Sequence, residues 1–393
     1  MIVMAFIKKH SYSDYKEHNR VSLIRGGVQY FTALKEIIRQ AARSIHLQTY
    51  IYDEDETGEE IALELINAAG RGVLVYILLD GYASRKLSDS FIRRFKDAGI
   101  YFRFFEPVLR GNSFYFGRRM HHKVVVADAQ YALVAGVNIS NKYNDMPGEP
   151  AWLDWAIQVE GESAIELYKI CVGLWIKFPT EVNRIISAEK LPVMDPTWNC
   201  PVRVRRNDWV TRKNEISRSY LEMFNKANNE IIIMSSYFLP GRVFRKRLAS
   251  AEKRGVNIKL ILAGASDIMV SKLAERYMYR WLFRKGIEIY EYPHNILHGK
   301  LAVYDEAFVT GGSYNVNNIS AYASIELNLD IKDSNFAKHV SSTLKEIIHK
   351  DCIQITEDKF KVSYNIFERF LQYLSYEIFR LVFFLFTFYF RQR

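Results

Sequence analysis

Cysteine is scarce: only Cys171, Cys200 and Cys352 are present, odd in number and far apart. With no paired framework and no CxxC cluster, a disulfide scaffold or a four-cysteine zinc site is excluded, and a reducing compartment fits. Residues 1–9 hold a short apolar stretch but no long apolar segment ending in a small-residue cleavage site, so no signal peptide is expected. Histidines at metal-ligating spacing are also wanting. His294 and His298 are four apart, but Pro293 argues against the helix that would bring them to one face, so neither metal nor cofactor is expected. Acid is in deficit, with 44 Asp and Glu against 54 Lys and Arg for a net charge of +10. Such an excess favours anionic partners, nucleic acid or an acidic membrane surface, although solubility alone can account for it. What remains is a globular composition, 49% hydrophobic and 25% charged, which excludes a largely disordered chain. At 393 residues it exceeds one ordinary core, so two domains or a duplicated unit are expected.

The pattern along the chain is duplicated. Apolar residues recur at helical spacing over 29–43, then alternate from Ile45 to Ile51 as a strand does. A helix around 58–70 stops at Arg71-Gly72, and the continuous apolar run 73–79 reads as a strand buried on both faces. A helix over 87–98 and a strand over 100–105 complete an alternating α/β unit. The same order returns as a helix over 217–229, a strand over 230–238, a Pro240-Gly241 turn and a buried strand over 258–262. A short strand over 286–292 closes it. Arg71-Gly72-Val73 matches Arg254-Gly255-Val256 at an offset of 183, and the motif below repeats at 177. Duplication explains two matches at nearly one offset better than coincidence does. The units are expected over 22–190 and 207–350, with the Pro-containing segment 191–206 as their connection.

The chemistry lies in a repeated His-x-Lys-x4-Asp. His121, Lys123 and Asp128 form the first copy, followed by Ala135-Gly136-Val137-Asn138; His298, Lys300 and Asp305 form the second, followed by Gly312-Ser313-Tyr314-Asn315. One such pattern arises by chance about once in twenty chains of this length; two at matching places in a repeat, each with its Gly/Ser-x-Asn turn, are far rarer. In an extended segment His and Lys two apart share a face, while the apolar residues between Lys and Asp fill a core. Small residues and Asn after the next strand allow a tight turn and close approach to a ligand. Histidine can serve as nucleophile or as acid and base near neutral pH, and a neighbouring lysine offers fixed charge to a phosphate oxygen. A phosphodiester held between the two halves would meet two of each.

At these residues the sequence resembles the phospholipase D superfamily, whose hallmark is this duplicated motif. Ala42-Arg43-Ser44-Ile45-His46-Leu47, Leu79-Asp80-Gly81, Trp152-x-Asp154, Ser236-Tyr237-Phe238-Leu239-Pro240 and Tyr290-Glu291-Tyr292 further resemble bacterial cardiolipin synthases, over roughly residues 22–350. The resemblance implies two phospholipase D-like α/β/α sandwich domains related by a pseudo-twofold axis. It implies metal-independent, two-step transfer through a phosphohistidine, with His121 as nucleophile and His298 as acid and base. Lys123, Lys300, Asn138 and Asn315 would bind phosphate oxygens, assisted by Ser313. In the family a carboxylate some thirty residues beyond each histidine holds the imidazole tautomer; Asp154 and Glu326 occupy the matching places. Asp128 and Asp305, part of the motif's catalytic signature, then look more structural than catalytic. Ala135 departs from the usual glycine, and His122 stands where arginine is common and reads as a spectator.

The implied substrate is anionic phospholipid, phosphatidylglycerol, one molecule donating a phosphatidyl group to another's glycerol. A basic surface including Arg242, Arg245, Lys246 and Arg247 suits an anionic membrane, and the aromatic stretch 111–117 could dip into the interface. Residues 381–390 are almost pure hydrophobe between arginines. As a helix they would reach about 15 Å, half a hydrocarbon core. An interfacial anchor within a hydrophobic helical tail over 365–393 is therefore expected, with a packing helix as the alternative and a membrane span disfavoured. A peripheral or monotopic protein at the cell membrane is therefore expected, on the cytoplasmic side that the cysteine usage fits; nothing like the two N-terminal membrane helices of many cardiolipin synthases is seen. The same residues would serve a phospholipase D hydrolase or another phosphatidyltransferase. A nuclease on this fold is disfavoured by the hydrophobic tail, and a catalytically dead scaffold by the intact histidines and lysines.

Overall fold

A computed structural model describes residues 15–107, 109–110, 113–114, 118–176, 191–193, 195–317, 324–362 and 365–391. The first half runs β1 (Asn19–Arg25), α1 (Val28–Gln40), β2 (Ser44–Thr49), α2 (Glu56–Gly70), β3 (Leu74–Asp80), α3 (Asp89–Asp97) and β4 (Tyr101–Phe105). After a two-strand ribbon, β5 (Leu109–Arg110) and β6 (Ser113–Phe114), come β7 (Arg119–Met120), β8 (Lys123–Ala127), β9 (Tyr131–Ala135), β10 (Trp155–Gly161) and α4 (Glu162–Trp175). The sheet order is β1-β10-β9-β8-β2-β3-β4, parallel from β2 to β4 and antiparallel elsewhere.

The second half repeats that plan. It runs β11 (Val202–Asp208), β12 (Lys213–Asn214), α5 (Glu215–Lys226), β13 (Glu230–Ser235), α6 (Arg242–Lys253), β14 (Asn257–Ala263), α7 (Met269–Phe283) and β15 (Glu288–Tyr292). Then follow β16 (Lys300–Tyr304), β17 (Phe308–Gly312), β18 (Ser324–Ile331), α8 (Ser334–Asp351), β19 (Ile353–Ile355), α9 (Glu357–Val362) and α10 (Ile366–Arg391). Its sheet, β12-β11-β18-β17-β16-β13-β14-β15-β19, contains the seven-strand order of the first with one strand added at each edge.

The continuous apolar runs are explained by two-sided burial. Along β8, Val125 and Ala127 pack with α1, α2 and α3 in an outer core, whereas Val124 and Val126 face a second core shared by both halves. There Leu153 and Ile157 meet Met234, Leu301, Val303 and Leu327, flanked by α4 and α8. A third core lies between the second sheet and α5, α6 and α7. The halves are therefore joined back to back by a common apolar layer, which places the ends of corresponding strands side by side.

Two features differ from the sequence reading. Residues 202–206, expected within the connection, form most of β11, paired in register with β18 from Val202↔Ile331 to Asn207↔Glu326. The charges of Arg203 and Arg205 disguise a buried strand, because both guanidinium groups pair with the buried carboxylate of Asp330, at 2.8 and 3.2 Å. The tail is one continuous helix, α10, of 26 residues, and its first turns pack on α7 rather than standing free. The Tyr277 ring lies 4.8 Å from that of Tyr376 and 5.8 Å from that of Tyr373, and Gln372 and Ser375 are buried. No helix among the described residues is long and apolar enough to cross a membrane. Residues 177–190, at the end of the first expected unit, and most of the aromatic stretch 111–117, lie outside the described residues.

Asp128 and Asp305 sit at the far ends of β8 and β16. Asp128 accepts the N–H groups of Ala42, Arg43 and Ser44, each at 2.8 Å, clamping the start of β2. Asp305 does the same for Asn228, Asn229 and Glu230 at 2.7–2.9 Å, at the start of β13. Both take positive φ, 54° and 50°, as the tight turns require. Five residues of strand put them roughly 17 Å from the histidine end. Asp128→Ala should cost about 2 kcal/mol of stability by orphaning three backbone donors, seen as a lower Tm, while kcat is unchanged.

Candidate active site

The histidine ends of β8 and β16 meet where the two halves cross. His121 and His122 donate their backbone N–H groups to Ile325 O, at 3.0 and 3.1 Å, and β7 pairs with the start of β18. On the other side His298 N donates to Leu153 O at 2.8 Å. Each of these carbonyls belongs to the residue just before a buried carboxylate, and that carboxylate reaches the imidazole. His121 Nδ1 lies 2.9 Å from Glu326 Oε1, and His298 Nδ1 lies 2.6 Å from Asp154 Oδ2. The pairing is crossed: each carboxylate lies beyond the histidine of its own half, as the spacing suggests, but it holds the histidine of the other half. An ionised carboxylate on Nδ1 fixes the proton there and leaves Nε2 as the reactive nitrogen.

The two orienters are built differently. A Cβ on Gly136 would stand 2.3 Å from Asp154 Oδ1, so glycine there makes room for the carboxylate. Ser313 takes the equivalent place in the second half and donates its hydroxyl to Glu326 Oε2 at 2.5 Å, while Ser324 donates to Oε1 at 2.8 Å. Burial acts to raise the Glu326 carboxyl, but the His121 ring and Lys123 beside it hold it below the ordinary glutamate range.

Lys123 and Lys300 are buried with the histidines, each donating to the carbonyl of the histidine two residues before it. Burial pushes the Lys123 ammonium down to about 7, opposed by Glu326 and reinforced by Lys300. Lys300 is lowered too, by burial, against the pull of Asp154 and Glu326. Mutual influence between groups from both halves shows that they share one site. His298 is pushed down to about 4, first by burial and then by Lys300, so its ring is neutral at pH 7 in the free protein; His121 is also lowered by burial. His121 is the more accessible, its side chain 20% exposed against 8% for His298.

Asn138 Oδ1 accepts Ile51 N at 3.0 Å, and its side chain also hydrogen-bonds Tyr143. Asn315 is buried beside the second motif, and its Oδ1 has no partner among the described residues. His122 points away into the core, where Nε2 meets Gln48 Oε1 at 3.0 Å, in keeping with a spectator. Among the described residues no group of three or more His, Cys, Asp and Glu could hold a metal.

Several neighbours were given no role by the sequence reading, although Asp80, Trp152 and Ser236 lie in stretches quoted there. Tyr50 follows β2 and lays its ring 4.8 Å from that of His121, with Lys123 Nζ 5.3 Å from its centroid. Ser236, at the same place after β13, contacts Lys300 Nζ at 3.3 Å. Tyr143 and Trp152 pack on His298 at 5.2 and 6.0 Å. Asp80 accepts Met120 N at 2.9 Å and so fixes the residue before His121. Ser236 lies in the Ser-Tyr-Phe-Leu-Pro stretch already quoted, whereas the sequence signal for Tyr50 is its matching position after the equivalent strand.

A pair of carboxylate-oriented histidines with two buried lysines, assembled across two copies of one α/β unit, defines the two-domain class of the phospholipase D superfamily. Comparison places the chain more narrowly. The family described as cardiolipin synthase, PLD-like domain, matches residues 34–158 and 220–348, and the chain belongs to it. It is 35% identical over 364 residues to cardiolipin synthase B of Salmonella typhi, covering 87% of this chain and 84% of that protein. Cardiolipin synthase B of Escherichia coli K12 is 33% identical over 360 residues, covering 88% and 84%. Among solved structures, phosphatidylserine synthase of Haemophilus influenzae Rd KW20 shares the fold with a TM-score of 0.72 at 16% identity, over 94% of this chain and 95% of that one.

The lysine environment has a consequence for pH dependence. A phosphate-binding role for Lys123 would require its ammonium form, and burial brings the loss of that proton in the free protein down to about pH 7. KM for a lipid phosphodiester should therefore be flat below pH 7 and rise about tenfold per unit above it. Lys123→Arg, permanently charged, should remove that rise. A wild-type KM independent of pH from 6 to 9 would count against the lysine's role.

Proposed function

We propose that this enzyme joins two phosphatidylglycerol molecules into cardiolipin and glycerol by phosphatidyl transfer through a histidine. The reading is carried by the crossed His–carboxylate pairs, which present two imidazoles with fixed tautomers to one phosphate position. His121 Nε2 attacks phosphorus, forming a P–N bond as the P–O bond to glycerol breaks; its greater exposure supports this choice. His298 supplies the proton to the leaving oxygen. For that it must be protonated in the complex, and the bound phosphodiester anion favours the imidazolium. The second phosphatidylglycerol then enters, His298 takes the proton of its hydroxyl, and the new P–O bond displaces His121. Lys123 and Lys300 compensate the phosphate charge, and the amides of Asn138 and Asn315 donate hydrogen bonds to its oxygens. The protein works peripherally at an anionic membrane surface, which suits its net charge and the exposed apolar residues of α10.

The test is product analysis with labelled phosphatidylglycerol vesicles. Cardiolipin with an equivalent of free glycerol is expected. Phosphatidic acid as the sole lipid product would replace the transferase reading with hydrolysis, and cleavage of nucleic acid with no lipid product would end the lipid assignment.

A further inference from the structure

Away from the histidines, a pocket of ≈ 600 Å³ opens between α6, α7, α9 and α10. Arg245, Arg280, Arg284 and Arg380 line it against two acids, Glu357 and Glu377. Arg380 is engaged by Glu377, at 2.8 and 2.9 Å. Arg245 and Arg284, by contrast, form no ion pair among the described residues; Arg245 is half-buried with its Nε lacking a hydrogen-bond partner, while Arg284 at the rim is exposed and donates its Nε to Arg280 O at 3.3 Å. Trp281, Tyr277 and Phe360 complete the wall with aromatic surface. A half-buried guanidinium whose donors are unmet is costly unless an acceptor arrives, and a planar fork of N–H donors matches a phosphate best.

The helix that supplies Tyr376, Glu377 and Arg380 to this pocket also carries a bare apolar face. Phe367, Phe370, Leu374, Ile378 and Leu381 recur every three or four residues and are 43–64% exposed, so they form one stripe along about 20 Å of helix. That stripe lies on the side of α10 away from Phe379 and Ser375, which face the protein. A stripe of this kind beside arginines fits the boundary between acyl chains and anionic headgroups. A pocket within one helix diameter, about 10 Å, of that stripe lies at headgroup depth.

We propose that this pocket is a second, non-catalytic site for an anionic phospholipid. The phosphate is held by Arg245 and Arg284, and the acyl chains run along α10. The proposal rests on the protein acting on membrane lipid, as argued above. It gives the enzyme a hold on the bilayer that responds to headgroup charge, separate from the site that consumes the lipid.

The test uses the His121→Ala protein, so that no lipid is turned over, and reads Trp281 fluorescence as the difference from a Trp281→Phe partner. Vesicles carry brominated acyl chains on either phosphatidylglycerol or phosphatidylcholine. Quenching by the brominated phosphatidylglycerol and not by the phosphatidylcholine is expected. Arg245→Gln with Arg284→Gln should raise the lipid needed for half-quenching about a hundredfold, one factor of ten for each charged bond lost. In the otherwise wild-type enzyme the same pair should leave turnover of detergent-dispersed phosphatidylglycerol within about twofold. Equal quenching by phosphatidylcholine, or quenching unchanged in the double variant, would overturn the site. So would full protection by inorganic phosphate at the lipid's own concentration, which would mark a free-phosphate site. Cardiolipin formation with no Trp281 quenching removes this site alone. Quenching as expected in the His121→Ala protein, alongside a wild-type enzyme that makes no cardiolipin, upholds the site and removes the transferase reading.

Discussion

Alanine at His298 is expected to lower kcat on the order of 10⁴-fold and yet to leave a phosphatidyl group trapped on His121. In the proposed mechanism its removal blocks protonation of the leaving glycerol and deprotonation of the acceptor, each a large contribution. A lipid ester with a phenolic leaving group needs no proton donor, so His121 can still attack it, and the second step then stalls for want of a base. Mass spectrometry should find the acid-labile adduct on the peptide containing His121. His121→Ala should lose activity to the same extent and carry no adduct with the same substrate. An adduct on His298 in the His121→Ala protein would exchange the two roles. No adduct in either protein would remove the covalent mechanism.

What could be read from the sequence follows from where the physics is local. The His-x-Lys-x4-Asp copies were legible because a strand's two-residue period places His and Lys on one face, and because the intervening Val124, Val125 and Val126 need two-sided burial. The paired α/β units were legible for the same reason. The crossing of the carboxylates was not. Asp154 sits 33 residues after His121 and 144 before His298, and only the back-to-back packing of Leu153, Met234 and Leu327 decides which imidazole it meets. Strand β11 was missed because its first residues were counted with the Pro-containing connection, and nothing local shows that Arg203 and Arg205 are buried against Asp330. The tail looked like a free anchor because its hydrophobicity cannot say which face meets α7 and which meets the outside. Tyr376 and Phe379 take the first role, and Phe370 and Leu374 are left for the second.

Crossed orientation makes a prediction that an uncrossed site does not. Asp154→Asn keeps the shape of the side chain but offers Nδ1 of His298 an amide in place of an anion, which loosens the tautomer. A loss of about 10³-fold in kcat is expected, with KM little changed, because the carboxylate acts through the ring and not on the lipid. Glu326→Gln should do the same through His121, and Ser313 and Ser324 would then face a neutral amide. The double variants distinguish the partners. Asp154→Asn should cost nothing further in a protein already lacking His298, because the group it orients is gone. In the His121→Ala protein it should still slow whatever residual transfer His298 supports. Each carboxylate should thus be coupled to the histidine of the opposite half and be nearly additive with its own. Coupling to the histidine in the same half would mean that the two units do not pack as described. The crossing also bears on the duplication itself: neither unit contains a histidine together with its orienting carboxylate, so a single copy could be active only as a symmetric pair, in which each chain lends its carboxylate to the other.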